Sequence, residues 1–187
     1  MTTRLLAAYP VDLWRIVTLP RNRGKGGALQ EGMLAAAGDY ILFIDADGST
    51  AITELDRFMP LFSDTIDLYL AVRTIKHAAP FKRCFFGKGY IRLANLVLGL
   101  RQSDFTCGFK CYRRDAARQV FARQTLDNWS FDAEDLFVAH LLRLRMVEVP
   151  VYWRHIPGSK VRVMRNVIEC GVDLLRIRWR WLRGRYR

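Results

Sequence analysis

A short apolar segment that ends on two carboxylates places the strongest constraint on the fold of this chain. The run Ile41-Leu42-Phe43-Ile44 is followed at once by Asp45-Ala46-Asp47-Gly48. Four large apolar residues predict a strand buried on both faces, and the acids mark where it leaves the core. In an extended backbone Asp45 and Asp47 point the same way, about 7 Å apart. Such a pair suits Mg²⁺ or Mn²⁺ carrying a diphosphate. The alternative is a solvated strand end whose acids cap the next helix.

A basic, glycine-rich segment precedes this strand. Residues 21–29 read Arg-Asn-Arg-Gly-Lys-Gly-Gly-Ala-Leu and lead into a helical pattern of apolar residues. Glycines let backbone N–H groups approach a ligand, and a helix N-terminus adds partial positive charge, so this segment is a candidate anion site. It lacks the Gly-Lys-Ser/Thr ending of a Walker loop and the last glycine of the dinucleotide fingerprint. The alternative is that the glycines only form a tight turn between a strand and a helix.

Five motifs follow one another in the order and spacing of a known family. They are Asn-Arg-Gly-Lys-Gly-Gly-Ala at 22–28, Asp-Ala-Asp-Gly at 45–48, Cys-Gly-Phe-Lys at 107–110, Trp-Ser-Phe-Asp-Ala-Glu at 129–134 and Gly-Ser-Lys at 158–160. From about Trp14 to the C-terminus the chain resembles the dolichyl-phosphate β-glucosyltransferases. These enzymes belong to the inverting family 2 nucleotide-sugar glycosyltransferases, and the dolichyl-phosphate mannosyltransferases are their near relatives.

The resemblance implies an α/β protein with the three-layer GT-A fold of nucleotide-diphospho-sugar transferases. We expect a partial GT-A domain at residues 1–160 and a basic amphipathic membrane-surface helix at residues 161–187. Strands are predicted at 15–19, 40–44, 66–72, 109–113 and 146–152. Helices are predicted at 27–37, 53–62, 85–98, 115–122, 132–143 and 162–183, with boundaries uncertain by a few residues.

One part of the family pattern is missing from the sequence. In the family, segments resembling Pro-Ala-Tyr-Asn-Glu and Asp-Asp-Gly/Ser-Ser end two strands that hold the nucleotide base and ribose, whereas residues 1–13 offer only Tyr9-Pro10 and Asp12. The two strands would lie between those predicted at 15–19 and 40–44. We therefore expect an N-terminally incomplete domain without the family's anchor helix, a gap in the middle of the sheet, and weak or absent nucleotide binding by this polypeptide alone.

The resemblance also implies an activity and a set of site residues. The activity is transfer of glucose from UDP-glucose to dolichyl phosphate with inversion, which supplies N-glycan precursor assembly at the cytosolic face of the endoplasmic reticulum membrane. Because the acceptor phosphate is already anionic, catalysis rests on aligning two anionic reactants and neutralising the leaving diphosphate. The implied metal ligands for Mg²⁺ or Mn²⁺ are Asp45 and Asp47. The implied catalytic residues are Asp47, Asp132 and Glu134, and the implied substrate-binding residues are Arg23, Lys25, Gly26, Arg73, Lys110, Ser159 and Lys160.

The C-terminal segment combines positive charge with an apolar stripe. From residue 160 to residue 187 there are nine Lys or Arg and two acids, within a net charge of +12 for the whole chain. Apolar residues recur there at helical spacing: Ile168, Val172, Leu175, Trp179, Leu182 and Tyr186. A basic helix with tryptophans beside its polar face is suited to the surface of an anionic membrane. The alternative is a helix packed on its own domain with solvated arginines.

Three other functions are alternatives to the predicted transfer of glucose to dolichyl phosphate. The nearest is a dolichyl-phosphate mannosyltransferase that uses GDP-mannose, since Asp-Phe-Thr at 104–106 matches that branch. A pI of about 10.1 invites nucleic acid as a partner, but no RNA-binding or DNA-binding motif occurs, so we expect none. The third is an inactive, truncated membrane-surface or basic binding protein.

Overall fold

The computed structural model describes residues 14–77, 81–154, 156 and 163–187, with the backbone alone at 74–77, 81–86 and 163–168. Its strands are β1 (Tyr40–Ile44), β2 (Leu68–His77), β3 (Phe109–Arg113) and β4 (Met146–Arg154). Its α-helices are α1 (Gly24–Ala35), α2 (Phe81–Leu98), α3 (Arg114–Phe121), α4 (Phe131–Leu141) and α5 (Val163–Leu182). Two short 3₁₀ helices, Ile52–Arg57 and Met59–Leu61, lie between β1 and β2.

The four strands form one mixed sheet in the order β1-β3-β2-β4. Strand β3 is antiparallel to both of its neighbours, whereas β2 and β4 are parallel. Strands β1, β2 and β4 therefore run in one direction, and their carboxyl ends meet the amino end of β3 at one edge of the sheet. Asp45 follows β1 at that edge, where its N–H donates to the carbonyl of Gly108 at 2.8 Å. Ligands of open α/β sheets bind at such an edge.

The sheet is covered unequally on its two faces. The larger apolar cluster joins all five helices to one face and includes Phe43, Phe131 and Ile177. On the other face the 3₁₀ segment supplies Phe58, whose ring centre lies 5.2 Å from that of Phe109. The expected three layers are therefore helices, sheet and a thin layer of 3₁₀ turns.

Most predicted elements are confirmed to within a few residues, but the first predicted strand is wrong. Residues 15–19 are irregular, with Ile16 and Val17 exposed. Among the described residues no backbone pairs with them, so they form no strand there, and β1 pairs only with β3. The four strands are contiguous, so the expected gap in the middle of the sheet is also wrong for the described residues.

Two further expectations are corrected by the packing. Strand β1 is not buried on both faces: Ile41 and Phe43 are buried, whereas Ile44 is exposed. The helix predicted at 53–62 is divided into two 3₁₀ helices, because Pro60 lacks a backbone N–H and lies in the first turn of the second one.

The C-terminal helix α5 packs on the domain, yet part of its apolar surface stays outside the core. Leu174 and Ile177 are fully buried. The exposed stripe, defined here as Val172, Leu175, Trp179 and Leu182, carries four of the residues that the sequence pattern selected. The predicted domain boundary at residues 160–161 lies outside the described residues. Within the described ranges, no helix has both the length and the apolar character needed to cross a bilayer.

Candidate active site

The site is built on the turn that follows β1. Asp45 comes directly after the strand and packs on Gly108, at the start of β3. A Cβ atom at position 108 would lie 1.9 Å from an Asp45 carboxylate oxygen, so only glycine leaves room for this carboxylate. The pairing of β1 with β3 thus fixes where Asp45 lies.

Lys25, in the first turn of α1, is the ion-pair partner of Asp45. Its Nζ lies 2.7 Å from Oδ1 of Asp45. The same ammonium lies 5.1 to 5.6 Å from the ring centres of Phe43, Trp129 and Phe131. At these distances the faces of aromatic rings attract a cation. Lys25 is therefore held by one carboxylate and three rings. We call the three rings, those of Phe43, Trp129 and Phe131, the aromatic cage.

A second, buried ion pair lies next to the first. The Nζ of Lys110, on β3, donates to Oδ1 of Asp132 in the first turn of α4 and to the carbonyl of Phe105 at 2.8 Å. Burial raises the pKa of Asp132, whereas Lys110 and Lys25 act to lower it and Asp45 acts to raise it. Asp45, Lys25, Asp132 and Lys110 therefore form one group of alternating charges, called the charge cluster below.

Asp47 lies in an exposed turn beside this cluster. Its Oδ1 accepts a hydrogen bond from the N–H of Ser49 at 2.8 Å. Residues 46 and 47 form a turn, so the extended backbone assumed for the acid pair is not present. Asp47 thus makes the local turn contact of a short acidic side chain while remaining open to solvent.

The donor set fits a metal that completes its coordination with ligand oxygens. In the described part of the chain, no three His, Cys, Asp or Glu side chains are grouped to hold a metal ion. Mg²⁺ is commonly bound by one or two carboxylates together with substrate phosphates and water. Asp45 and Asp47 are oxygen ligands of that kind at the carboxyl end of a strand, so they could hold Mg²⁺ or Mn²⁺ with a diphosphate.

The glycine-rich turn does not present free N–H groups to an anion. The amides of Gly26 and Gly27 both donate to the carbonyl of Asp127, at 2.9 and 3.3 Å. A Cβ atom at Gly26 would lie 2.7 Å from the carbonyl oxygen of Leu126. The glycines serve close packing of α1 against residues 126–128, and the substrate contact of Gly26 stays a prediction.

The two arginines selected from the sequence are bound by protein groups. Arg23 contacts Asp127 at 2.8 Å and Glu31 at 2.7 Å. Arg73 makes two hydrogen bonds to the Asp104 carboxylate, at 2.6 and 2.7 Å. These carboxylates are the charged partners that the structure gives to the two guanidinium groups. The substrate contacts of the two arginines stay predictions.

Lys110 and Glu134 are likewise engaged inside the protein. Lys110 is 1% exposed, and its ammonium binds Asp132 and the carbonyl of Phe105. Glu134 is fully buried and accepts from Tyr186 Oη at 2.6 Å and from the N–H groups of Thr125 and Leu126. The substrate contact of Lys110 and the catalytic role of Glu134 stay predictions.

Among the predicted residues, the structure brings together Asp45, Lys25, Asp132 and Lys110. Ser159 and Lys160 lie outside the described residues. Sequence reasoning missed Gly108 and the aromatic cage. Gly108, Trp129 and Phe131 belong to the motifs at 107–110 and 129–134, so the motifs themselves carry the signal for these residues.

Comparison with known proteins identifies the family. The model of "Glycosyl transferase family 2" matches residues 2–121. The chain belongs to glycosyl transferase family 2. The family resemblance drawn from the five motifs is thus confirmed.

Similar family 2 proteins include three dolichyl-phosphate beta-glucosyltransferases. The one from Mus musculus is 34% identical over 96% of this chain and 59% of its own length. The one from Dictyostelium discoideum is 33% identical over 98% and 60%, and the one from Drosophila melanogaster 35% identical over 92% and 56%. The chain therefore spans about three-fifths of the length of these curated relatives.

Solved structures of similar shape confirm the GT-A fold. Glucosyl-3-phosphoglycerate synthase from Mycobacterium tuberculosis, in complex with Mn²⁺, UDP-glucose and glycerol 3-phosphate, matches with a TM-score of 0.60 at 17% identity, over 90% of this chain and 57% of that chain. A mycobacterial protein matches with a TM-score of 0.66 at 19% identity, over 95% and 60%. At these identities the likeness concerns the fold alone.

Proposed function

We propose that this family 2 chain transfers glucose from UDP-glucose to dolichyl phosphate with inversion, at the cytosolic face of the endoplasmic reticulum membrane. The observation that carries the proposal is the charge cluster at the carboxyl end of β1, where Asp45 contacts Lys25 and Asp132 lies behind them. Support for the substrates comes from the relatives, which are named dolichyl-phosphate beta-glucosyltransferases.

The donor side of the site consists of Asp45, Asp47 and Lys25. The two carboxylates would hold Mg²⁺ or Mn²⁺, and the bound metal would neutralise charge on the departing diphosphate. Support for a metal comes from the neighbour of known structure that binds Mn²⁺ with UDP-glucose. Of the two ammonium groups in the charge cluster, that of Lys25 is partly exposed and that of Lys110 is not. We assign the diphosphate contact to Lys25.

The acceptor side is assigned to Asp132 and the aromatic cage. A phosphate oxygen of the acceptor forms the new bond to the anomeric carbon while the bond from that carbon to the UDP oxygen breaks, so the sugar inverts from α to β. The acceptor is already anionic, so this step requires no proton transfer to Asp132. Asp132, fixed by Lys110, instead adds negative charge that interacts with Lys25.

The outer surface of α5 is proposed to meet an anionic membrane surface. Its exposed stripe is apolar, and the Arg183 guanidinium lies 3.7 Å from the centre of the Trp179 ring. Arg176 extends from the same helix with a side chain 60% exposed. Apolar residues bordered by arginines match the acyl and phosphate layers of such a membrane.

A transfer assay tests the proposed reaction. The chain is incubated with vesicles containing dolichyl phosphate, Mn²⁺ and radiolabelled UDP-glucose, and the lipid product is extracted. Because this polypeptide alone is expected to bind nucleotide weakly, we expect only slow formation of dolichyl β-glucosyl phosphate. We expect loss of this product in Asp47→Ala with an unchanged circular dichroism spectrum, and no product from GDP-mannose. Product from GDP-mannose alone would favour the mannosyl branch. Full transfer in the presence of a chelator would contradict the proposed role of the metal. No product from either donor would contradict the proposed activity.

A further inference from the structure

We infer that Lys25 is a resident counter-ion that occupies the cation position beside Asp45 until Mg²⁺ or Mn²⁺ displaces it. This inference rests on the metal site proposed above and adds to it a competition between a side chain and the metal. The displaced ammonium stays in the aromatic cage, from which it can meet the diphosphate that arrives with the metal.

The exposure of the two ion pairs in the charge cluster decides which pair can open. The side chains of Lys25 and Asp45 are 24% and 30% exposed. Those of Lys110 and Asp132 are 2% and 6% exposed. Water can therefore solvate the ammonium of Lys25 and the carboxylate of Asp45 as they separate. Separating Lys110 from Asp132 would leave two charges buried and unpaired. The pair containing Asp45 is the exchangeable one.

The aromatic cage keeps the ammonium close after it leaves the carboxylate. Phe43 comes from β1, Trp129 lies just before α4, and Phe131 is the first residue of α4. All three ring centres lie within 5.6 Å of Nζ, so the attraction of the rings persists when the contact with Asp45 is broken. When the metal displaces Lys25, the ammonium therefore loses one partly exposed ion pair and keeps its contacts with the three rings.

The surrounding charges favour a cation at this position. The charge of Asp45 acts to raise the pKa of Asp132, and the charge of Lys25, whose Nζ lies 2.7 Å from Oδ1 of Asp45, acts to lower it. A divalent cation beside Asp45 neutralises the carboxylate charge that Lys25 neutralises in its absence, and it carries one more positive charge. The ammonium of Lys25 can then interact with the negative charge of the diphosphate that binds with the metal.

Direct metal binding tests the competition without any assay of activity. Mn²⁺ affinity is measured by electron paramagnetic resonance for the wild-type chain, Lys25→Met and Lys25→Gln. We expect Mn²⁺ to bind the Lys25 variants more tightly by about two- to fivefold, the range that corresponds to a partly exposed ion pair. Thermal unfolding of each variant checks that it folds.

Two control variants separate competition from a general effect of charge. Arg21→Gln removes one positive charge from an exposed residue outside the charge cluster, and at 0.15 M salt we expect its Mn²⁺ affinity to match the wild type. Asp45→Asn removes the shared carboxylate, and we expect it to lose Mn²⁺ binding whether or not Lys25 is present.

A second measurement follows Lys25 itself. The ε-methylene protons of a lysine held over three rings resonate upfield, and their assignment follows from their absence in Lys25→Met. We expect Mg²⁺ to shift this resonance in the wild-type chain and to leave it unchanged in Asp45→Asn.

The outcomes distinguish this inference from the metal site on which it rests. Equal or weaker Mn²⁺ binding by Lys25→Met, with binding lost in Asp45→Asn, would overturn the competition and leave the metal site intact. The same gain in Arg21→Gln as in Lys25→Met would also overturn it. No Mn²⁺ binding at millimolar concentration by any variant would overturn the metal site and the competition together.

Discussion

Gly26 shows how the position of a single residue is determined by a loop about 100 residues away. A Cβ atom there would lie 2.7 Å from the Leu126 carbonyl oxygen and 2.9 Å from Cβ of Phe131. We expect Gly26→Ala to lower the free energy of unfolding by about 1–3 kcal/mol, because neither the backbone nor the helix start can move away easily. Urea denaturation measures the change.

Gly32 is the matched control in the same helix. A Cβ atom at Gly32 meets no atom within 4 Å. We expect Gly32→Ala to stabilise the protein by about 0.5–1 kcal/mol, since alanine restricts the unfolded chain without a clash. Equal stabilisation by both substitutions would show that α1 does not pack on residues 126–128 as described.

The ion pair of Arg73 with Asp104 predicts a pH dependence of stability. Burial acts to raise the pKa of Asp104, but the hydrogen bonds and charge of Arg73 outweigh it and hold this pKa below its usual value. Because the folded pKa is the lower one, the stabilisation is complete above the unfolded pKa of about 3.9 and is lost as the pH falls below that value.

Asp104→Asn tests this dependence. At pH 7 we expect the variant to be less stable than the wild type by about 3 kcal/mol, since it leaves Arg73 without its carboxylate partner. Between pH 4 and pH 2 the difference should shrink, because the wild type loses the same interaction by protonation. Urea titrations across this range give both values, and a difference independent of pH would contradict the assignment.

The sequence identified charged residues of the site better than it identified their partners. Asp45, Lys25 and Asp132 were found because their motifs are unusual. The partners of Arg23, Arg73 and Lys110 were not predicted, because nothing in the local sequence reveals Asp127, Asp104 or the depth at which Lys110 lies. Pairing and burial are products of the tertiary fold, so they were available only from the structure.

At the scale of secondary-structure elements, α5 holds the segment that carries much of the site. Asp173, on α5, accepts from Asn128 Nδ2 at 2.6 Å and from Ser130 Oγ at 2.8 Å. Tyr186, just after α5, donates to Glu134 at 2.6 Å. Contacts from α5 and the residues just after it therefore reach Thr125, Asn128, Ser130 and Glu134, and they hold the segment that contains Trp129, Phe131 and Asp132.

Asp173→Asn should loosen this segment selectively. Asparagine lacks the charge of the carboxylate and one acceptor oxygen, so we expect amide hydrogen exchange in residues 125–134 to become faster by about tenfold or more. The amides of Gly26 and Gly27 should follow, because they bind the Asp127 carbonyl. Mass spectrometry of peptic fragments measures the rates.

Asp115→Asn is the control for this prediction, since Asp115 is an exposed acid on α3. Its exchange rates in residues 125–134 should equal those of the wild type. Uniformly faster exchange across β2 and β4 in Asp173→Asn would indicate global destabilisation and contradict a local role.

The elements were predictable where hydrophobic periodicity and length agree. Strands β1 and β3 have the predicted bounds, and α3, α4 and α5 differ from theirs by one or two residues. The strand predicted at residues 15–19 is wrong because a strand requires a partner backbone, which a sequence pattern does not specify. The helix predicted at residues 53–62 is wrong because a helical pattern does not distinguish one α-helix from two 3₁₀ helices around a proline.

At the scale of the whole molecule, the exposed stripe on α5 predicts adsorption to anionic vesicles. Burying a leucine in the interfacial layer contributes about 1–2 kcal/mol, so we expect the double variant Leu175→Gln, Leu182→Gln to bind vesicles of phosphatidylcholine and phosphatidylserine at least about tenfold more weakly. Vesicle flotation measures binding, and thermal unfolding should be unchanged because both side chains are exposed.

Ile52→Gln is the matched control on the opposite face of the sheet. Ile52 is an exposed apolar residue of the first 3₁₀ helix. We expect this variant to bind vesicles as the wild type does. Equal loss in Ile52→Gln, or unchanged binding by the double variant, would exclude the stripe as the membrane-contacting surface.

The two sides of α5 have a consequence for mechanics. Leu174 and Asp173 face inward while Leu175 and Trp179 face outward, so one rigid rod of 20 residues separates the outer medium from the loop that leads to Asp132. A bilayer that took up the outward side would restrain the tilt of this rod. That restraint would reach Asn128 and Ser130 through a single carboxylate, and the loop would move less on a lipid surface than in free solution.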